Sequence, residues 1–470
     1  MALYPGAPTE TRPSLLPKLA IKPWVPEPPR SITLINALIV DPASGLLLGA
    51  QNNQRPIKHT IVIKDGLIAE IRPSADEDDN LGGTTEVMIM DADGLYICPG
   101  LIDCHVHVTA VPGVKTMGEL MRIGAEEVHL RTPYILKEML QRGFTTVRDT
   151  GGATKVLANA IEEGLVTGPR LFQCGKALSQ TGGHGDFSPS LSGGPEHGCC
   201  GGDIGLFGRV ADGVPAVLSA VRGELKAGAD FIKIMVGGGV ASETDAIETV
   251  QYTAEELRAI TTTCKQMGGK LSTAHAYTVE SIRHAIDNGV LGIEHGNLID
   301  EPTAKLMASK GIYLTPTLSC YSIMTRPPFE DFLPPSGKVK NAEVMKQGLE
   351  ALKIASAAGV TICYGSDLLT SMQALQTEEF AVRATVLSSP EILRHATTNA
   401  AKMLNKSSLL GTISKGAFAD ILILTANPLE DITILDRPED HLKVILKQGR
   451  VQKLTRFHTT DKNPYIQRLY

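Results

Sequence analysis

The chain has 470 residues, of which 43% are hydrophobic and 20% charged, and a net charge of −6 at pH 7. That length exceeds one average domain and suits a large barrel with a smaller module, or two to three ordinary domains. The acidic balance excludes nucleic acid as the main partner, since phosphate binding needs a basic surface, and no apolar run reaches the length of a membrane span.

Residues 1–30, "MALYPGAPTETRPSLLPKLAIKPWVPEPPR", are dense in proline and read as an extended arm lying on the surface or on a neighbouring subunit. They lack a basic start followed by an apolar core, so a secretory signal is not expected. Eight cysteines are scattered along the chain, several inside apolar runs, where a thiol behaves as a small hydrophobe. A reduced, cytoplasmic protein is expected rather than a disulfide framework.

Residues 31–97 read as all-β. "SITLINALIVD", "HTIVIKDGLIAEI" and "TEVMIMDADGLYI" are short β-rich runs, with turns at Asp65-Gly66 and Asp93-Gly94. The acidic "SADEDDNLGG" stretch reads as a solvated loop. The same texture returns in "GAFADILILTANPL" and "HLKVILKQGRVQ". One small β-sandwich built from both chain ends, 31–97 and 411–456, is therefore expected, with 457–470 as a tail.

Between them, residues 98–410 change rhythm. Buried runs recur, each followed by a helical pattern: "LYICPGLIDCHVHV", "TTVRDTG", "RLFQCG", "FIKIMV", "KLSTAHAY", "GIEHG", "IYLTPTLS" and "VTICYGSD". Thr253-x-x-Glu256 is a capping box, and Ser389-Pro390-Glu391 supplies an N-cap, an N1 proline and an acidic first turn. Gly228, Gly289, Gly311 and Gly359 fall where helices should stop. Strands alternating with helices pair in parallel, and eight repeats close a barrel. The expected class is α/β, a (β/α)8 TIM barrel. The runner-up, a doubly wound sheet, has no Gly-x-Gly-x-x-Gly turn to mark a dinucleotide site.

Chemistry in such a barrel sits at the carboxyl ends of the strands. Those ends carry His105 and His107 on the first strand, Lys233 on the fourth, His275 and His295 on the fifth and sixth, and Asp367 on the eighth. Side chains alternate along a strand, so His105 and His107 share a face. A buried charge is costly unless paired or metal-bound, and six such residues on one rim read as a metal cage rather than packing. Four imidazoles and a carboxylate suit zinc. Lys233, held neutral in "FIKIMV", would react with carbon dioxide to form a carbamate able to bridge two metals roughly 3.5–4 Å apart, with a hydroxide between them.

These motifs, "PGLIDCHVHV", "FIKIM", "AHAY", "EHG" and "GSD", together with "INALIVD…IVIKDGLIAEI" before them and "LLGTISKGAFADILIL" after, resemble the amidohydrolase superfamily over nearly the whole length past residue 30. "TTVRDTGG", "ALSQTGGHGD", "GADFIKIMVGGGVAS" and "ATTNAAKML" resemble its binuclear branch, which contains Xaa-Pro dipeptidase-like enzymes and fungal ochratoxinase. Imidazolonepropionase, with one metal and no bridging lysine, is a more distant relative. The resemblance implies that His105, His107 and Asp367 hold a buried metal, that His275 and His295 hold an outer one, and that carbamylated Lys233 bridges them. It implies hydrolysis of a small-molecule amide or peptide by a metal-bridging hydroxide, with Asp367 passing the proton to the leaving amine. It also favours a homo-oligomer.

Tyr277 is expected either to hydrogen-bond a developing oxyanion or only to pack its ring at the barrel mouth. His184, in the glycine-rich "TGGHGD", is expected to bind a substrate carboxylate or carbonyl, or else to brace its loop. Arg148 and Asp149 read as an ion pair behind the site. The segment from His184 to Asp212 reads as a lid or substrate-facing loop, and His197-x-Cys199-Cys200 either as a further metal site or as part of that flexible glycine-rich loop. Lactone or ester hydrolysis at the same centre and a non-catalytic assembly role are the competing readings.

Overall fold

The computed structural model describes residues 21–50, 56–76, 78, 87–187, 207–243, 245–454, 457–460 and 463–469. The Ser31–Asp41 strand organises the β-rich region. It pairs antiparallel with His59–Lys64 and in parallel with Val87–Asp91 and Tyr96–Pro99. From the other chain end, Ile421–Leu424 pairs antiparallel with Tyr96–Pro99, followed outward by Leu442–Lys447 and Arg450–Leu454. Strands from both ends are thus hydrogen-bonded into one connected set, with Ile32, Leu34, Ile63, Ile421 and Val444 in its core. Phe457–Thr460 and Asn463–Leu469 extend it, the latter in parallel with Val87–Asp91.

The first hairpin turns at Asp65 and Gly66, both at positive φ (53° and 79°), as a two-residue primed turn requires. A Cβ on Gly66 would also lie 2.9 Å from Gln448 O, so the turn can approach the second chain end only as glycine. The acidic stretch beyond it is not wholly solvated. Asp78 is buried and accepts hydrogen bonds from Arg72 at 2.7 and 2.5 Å, from Thr60 Oγ1 at 2.8 Å and from Ala75 N–H at 2.9 Å. Arg72, above all, holds that carboxyl well below the usual carboxylate range.

The central region is built from parallel strands. Leu101–Val106, Phe144–Asp149 and Arg170–Gln173 pair in chain order. Ala177–Ser179, Ile232–Met235, Ser272–Ala276, Gly292–His295, Tyr313–Thr315 and Thr361–Ile362 form a second run in chain order, with Gly208–Val210 at its edge. Backbone hydrogen bonds link the two runs. Asp230 N–H donates to Gln173 O at 2.8 Å; Cys104 N–H donates to Tyr364 O, and Asp367 N–H to His105 O, each at 2.8 Å. Strands covered on both faces read as near-continuous apolar runs. Here Ile232, Ile234, Ala274, Ile293 and Leu314 pack with helix residues Val217, Leu257, Ile282 and Met307. Parallel strands alternating with helices make this an α/β fold of the TIM-barrel type.

Local signals act largely where they were read. Thr253 and Glu256 form a reciprocal capping box, and Gly311, left-handed at φ 66°, ends the Glu301–Lys310 helix. One cap is displaced: Ser388 is the N-cap, while Ser389 Oγ instead accepts a hydrogen bond from Ile432 N–H at 3.1 Å. The described part of the proline-rich arm lies on its own chain, where Lys22 Nζ and Trp24 Nε1 reach the Glu163 carboxylate at 2.5 and 3.4 Å. The six described cysteines are buried free thiols; Cys199 and Cys200 lie outside the described residues. No helix among the described residues is long and apolar enough to cross a membrane.

Candidate metal centre

His105 is the penultimate residue of the Leu101–Val106 strand and His107 follows the strand, and both imidazoles turn towards Asp367. Their Nε2 atoms lie 3.3 and 3.4 Å from the same carboxylate oxygen, Asp367 Oδ1. Asp367 sits beyond the Thr361–Ile362 strand at φ 50°, a left-handed conformation rare for a non-glycine residue. His295 is also left-handed, at φ 72°. Such backbone persists only where its surroundings enforce it.

The outward sides of the two histidines decide what faces inward. His105 Nδ1 lies 2.8 Å from Glu294 Oε2, and His107 Nδ1 lies 3.0 Å from Gly151 O. A carboxylate and a carbonyl can only accept, so each Nδ1 donates, and in the neutral ring each Nε2 is the acceptor turned inward. In that state two lone pairs meet a carboxylate oxygen, and either protons or a metal ion among them must satisfy the three acceptors. His105, His107 and Asp367 offer ligand atoms within 4.8 Å of one another. Outward hydrogen bonds of this kind orient metal-binding histidines.

His275 and His295 complete a row of imidazoles. The ring centroids of His105 and His295 are 5.0 Å apart, and those of His275 and His295 are 4.6 Å apart. His275 Nε2 lies 3.1 Å from Gly238 O, and His295 Nδ1 lies 2.7 Å from Thr317 Oγ1; the other nitrogen of each ring has no hydrogen-bond partner among the described residues, and both side chains line the cleft. Lys233, on Ile232–Met235, is buried in the same cleft, and its Nζ makes no hydrogen bond among the described residues. The cleft therefore brings together all six rim residues expected from the sequence.

The charges are mutually adjusted. Burial lowers Lys233 and pushes His275 and His295 well below the ordinary imidazole value. Burial also acts against ionised Glu294 and Asp367. Arg148 leads the groups that hold Glu294 well below its usual value, and His105 leads those that do so for Asp367. Burial lowers His107 too, but the Asp367 carboxylate overcomes it and raises that imidazole.

Tyr277 and His184 both line the cleft. Tyr277 OH accepts from Tyr321 OH at 3.0 Å, and its ring lies 5.0 Å from that of His295. His184 stacks on His275 at 4.1 Å, with its Nδ1 2.8 Å from Ser242 Oγ. Arg148 and Asp149 do not form the expected ion pair. Neighbouring residues of a strand point to opposite faces. Arg148 donates to Glu294 Oε1 at 2.5 Å and to Cys104 O at 2.6 Å, whereas Asp149 receives the backbone N–H groups of Val108, Gly151 and Ala153. Sequence reasoning missed Glu294, Tyr321, Ser242 and Lys340. Of these only Glu294 carried a signal, as an acidic residue inside the apolar run "GIEHG".

The cleft encloses about 900 Å³ including the solvent at its mouth. Away from the histidines its wall is apolar, with Met121, Phe187, Phe207, Met324 and Phe332 among its residues. Phe187 and Phe207 belong to the expected lid segment, His184 to Asp212, whose residues 188–206, including His197, Cys199 and Cys200, lie outside the described residues.

A model of the amidohydrolase family matches residues 96–452. Ochratoxinase of Aspergillus niger is 30% identical over 419 residues, spanning 87% of this chain and 84% of its own. Its crystal structure superposes with a TM-score of 0.75 at 28% identity, covering 93% of this chain and 98% of that one. A prolidase crystallised with N-methylphosphonate-L-proline is 41% identical, with a TM-score of 0.83 and coverage of 90% and 100%. A Xaa-Pro dipeptidase with methionine bound in its active site is 28% identical, with a TM-score of 0.78 and coverage of 90% and 99%.

Proposed function

The chain belongs to the amidohydrolase family, and from that premise we propose that it cleaves the amide bond of a dipeptide, an N-acyl amino acid or an ochratoxin-like aryl amide. The observation that carries this reading is the convergence of His105 Nε2, His107 Nε2 and the Asp367 carboxylate, with outward Nδ1 hydrogen bonds that aim both Nε2 atoms at one carboxylate oxygen. That donor set fits a divalent metal, zinc best of all. His105, His107 and Asp367 would hold one ion and His275 and His295 a second. Lys233, without an ion pair among the described residues and lowered by burial, would bridge them as its carbamate. When bound, such ions supply a Lewis acid for the carbonyl and a water that ionises near neutrality.

The remaining work falls to the chain. Asp367 accepts the proton of the attacking water and returns it to the leaving amine. Tyr321 donates to Tyr277 OH, which frees the Tyr277 proton for the oxygen that gains charge at the scissile carbonyl. The apolar wall at Met121, Met324 and Phe332 favours a bulky uncharged group on the substrate. The relatives, named for ochratoxin and for prolyl dipeptides, also support an amide. Hydrogen bonds between the two parallel runs support one closed barrel of eight strand positions, with Arg170–Gln173 and Ala177–Ser179 together taking the third, and the connected strands of both chain ends support a small sandwich beside it.

The test is a hydrolysis screen of zinc-loaded protein against N-acyl amino acids and dipeptides, counting released amino acid. Release from substrates with apolar acyl groups is expected. Cleavage of lactones with no release from any amide would replace this reading with lactone hydrolysis.

A further inference from the structure

Lys340 lies on the Pro335–Ala357 helix, apart from the strand ends that carry the six rim residues, yet its ammonium is spent on the loop that follows the Ile232–Met235 strand. Its Nζ donates to Gly239 O at 2.7 Å, Ser242 O at 2.6 Å and Asp245 O at 2.8 Å. An ammonium has three N–H bonds, so all three are committed to this one loop. The helix presses close enough that a Cβ on Gly337 would lie 2.8 Å from Val240 O.

Inside the loop, the Asp245 carboxylate accepts from Gly239 N–H at 3.0 Å, from Gln251 Nε2 at 2.9 Å and from the Ser242 hydroxyl. The single Ser242 proton is thereby used. Its oxygen can only accept from His184 Nδ1, 2.8 Å away, so Nδ1 carries a hydrogen whatever the charge of the ring. Gln251 Oε1 accepts the His184 backbone N–H at 2.9 Å. The ring itself rests on Gly239, where a Cβ would come within 2.0 Å of His184 Cε1. His184 Nε2 has no hydrogen-bond partner among the described residues, and the side chain lines the cleft.

We propose that Ser242, Asp245 and Lys340 form a positioning device that locks the His184 ring and presents its Nε2 to the substrate. This rests on the amide-hydrolase reading. Lys340 sets the loop, Asp245 orients the Ser242 hydroxyl, and that hydroxyl fixes which nitrogen of His184 faces outward. The three residues act through His184 and do not touch the substrate.

The test is a mutant cycle in the zinc-loaded full-length enzyme with an N-acyl amino acid as substrate. Ser242→Ala and Lys340→Met should each lower kcat/KM about 10- to 100-fold with zinc content unchanged, and should cost nothing further in a His184→Ala background. Equal losses in that background, or loss of zinc, would overturn the proposal, because the loop would then act through His275 or the fold at large. Should Lys340→Met fail to fold, Ser242→Ala, which removes one oxygen, carries the cycle. A readout independent of turnover is the nitrogen spectrum of histidine-labelled protein. The His184 signal, identified by its loss in His184→Ala, should show a protonated Nδ1 in the wild type and move in Ser242→Ala. An unmoved signal would contradict the device, whereas absence of amide cleavage with the expected spectra would sink only the functional reading.

Discussion

Glu294 accepts a hydrogen bond from His105 Nδ1 at 2.8 Å, and the other oxygen of the same carboxylate lies 2.5 Å from Arg148 Nη2. Thr273 Oγ1 also donates to it, at 2.5 Å. One buried carboxylate therefore orients a metal-facing imidazole and neutralises a buried guanidinium. Glu294→Gln is expected to weaken zinc binding about 10- to 100-fold. It should also destabilise the fold by about 3–5 kcal/mol, because Arg148 is left without its counter-charge. Chelator competition and urea unfolding measure the two effects; a variant unchanged in both would show that Glu294 does neither task.

Asp367 separates metal binding from proton transfer. Asparagine keeps an oxygen for His105 and His107 to face but cannot take up a proton. Asp367→Asn should abolish turnover while most of the metal remains bound, as followed by product release and metal analysis on the same sample. Near wild-type turnover would remove Asp367 from the proton path.

Substrate choice should follow the apolar wall. Met324 is partly exposed and lines the cleft. Met324→Ala should lower kcat/KM for a bulky aryl-acyl amino acid about tenfold relative to its acetyl counterpart. Steady-state kinetics on the pair decides it, and an equal change in both substrates would place the acyl group elsewhere.

How much of this was legible in the sequence depended on how local each relationship is. The alternation of strand side chains placed His105 and His107 on one face, and the apolar runs around Lys233, His275 and His295 exposed those residues as anomalies. The same alternation separates Arg148 from Asp149, and treating the two as an ion pair overlooked it. Glu294 was hidden by its neighbour His295, since both interrupt one short run. Lys340 could not have been found. It meets its carbonyls across 95 to 101 residues of chain, and its helix shows no local sign of the loop it holds. Asp78 was masked by the acidic stretch around it, because burial there depends on Arg72 and Thr60 from the adjoining hairpin.

Lys447 gives a stability prediction away from the cleft. Its Nζ is buried and donates to Gly168 O at 2.7 Å, and burial lowers it from the ordinary 10.5 to about 8. Between those values the unfolded chain holds a proton that the folded chain has released. Stability should therefore rise with pH across that window, with the penalty for the buried charge fully present below it. Urea midpoints should show this rise in the wild type and a smaller one in Lys447→Met. Parallel curves would mean that Lys447 titrates normally in the folded state.

If carbamylated Lys233 bridges two cations, bound metal must depend on both the lysine and carbon dioxide. The most direct measurement is zinc content per chain after loading with and without bicarbonate, in the wild type and in Lys233→Ala. Two zinc ions per wild-type chain are expected with bicarbonate, fewer without it, and at most one in Lys233→Ala under either condition. One zinc or none in the bicarbonate-loaded wild type, or the same content with and without Lys233, would contradict a bridged pair of metals at this centre.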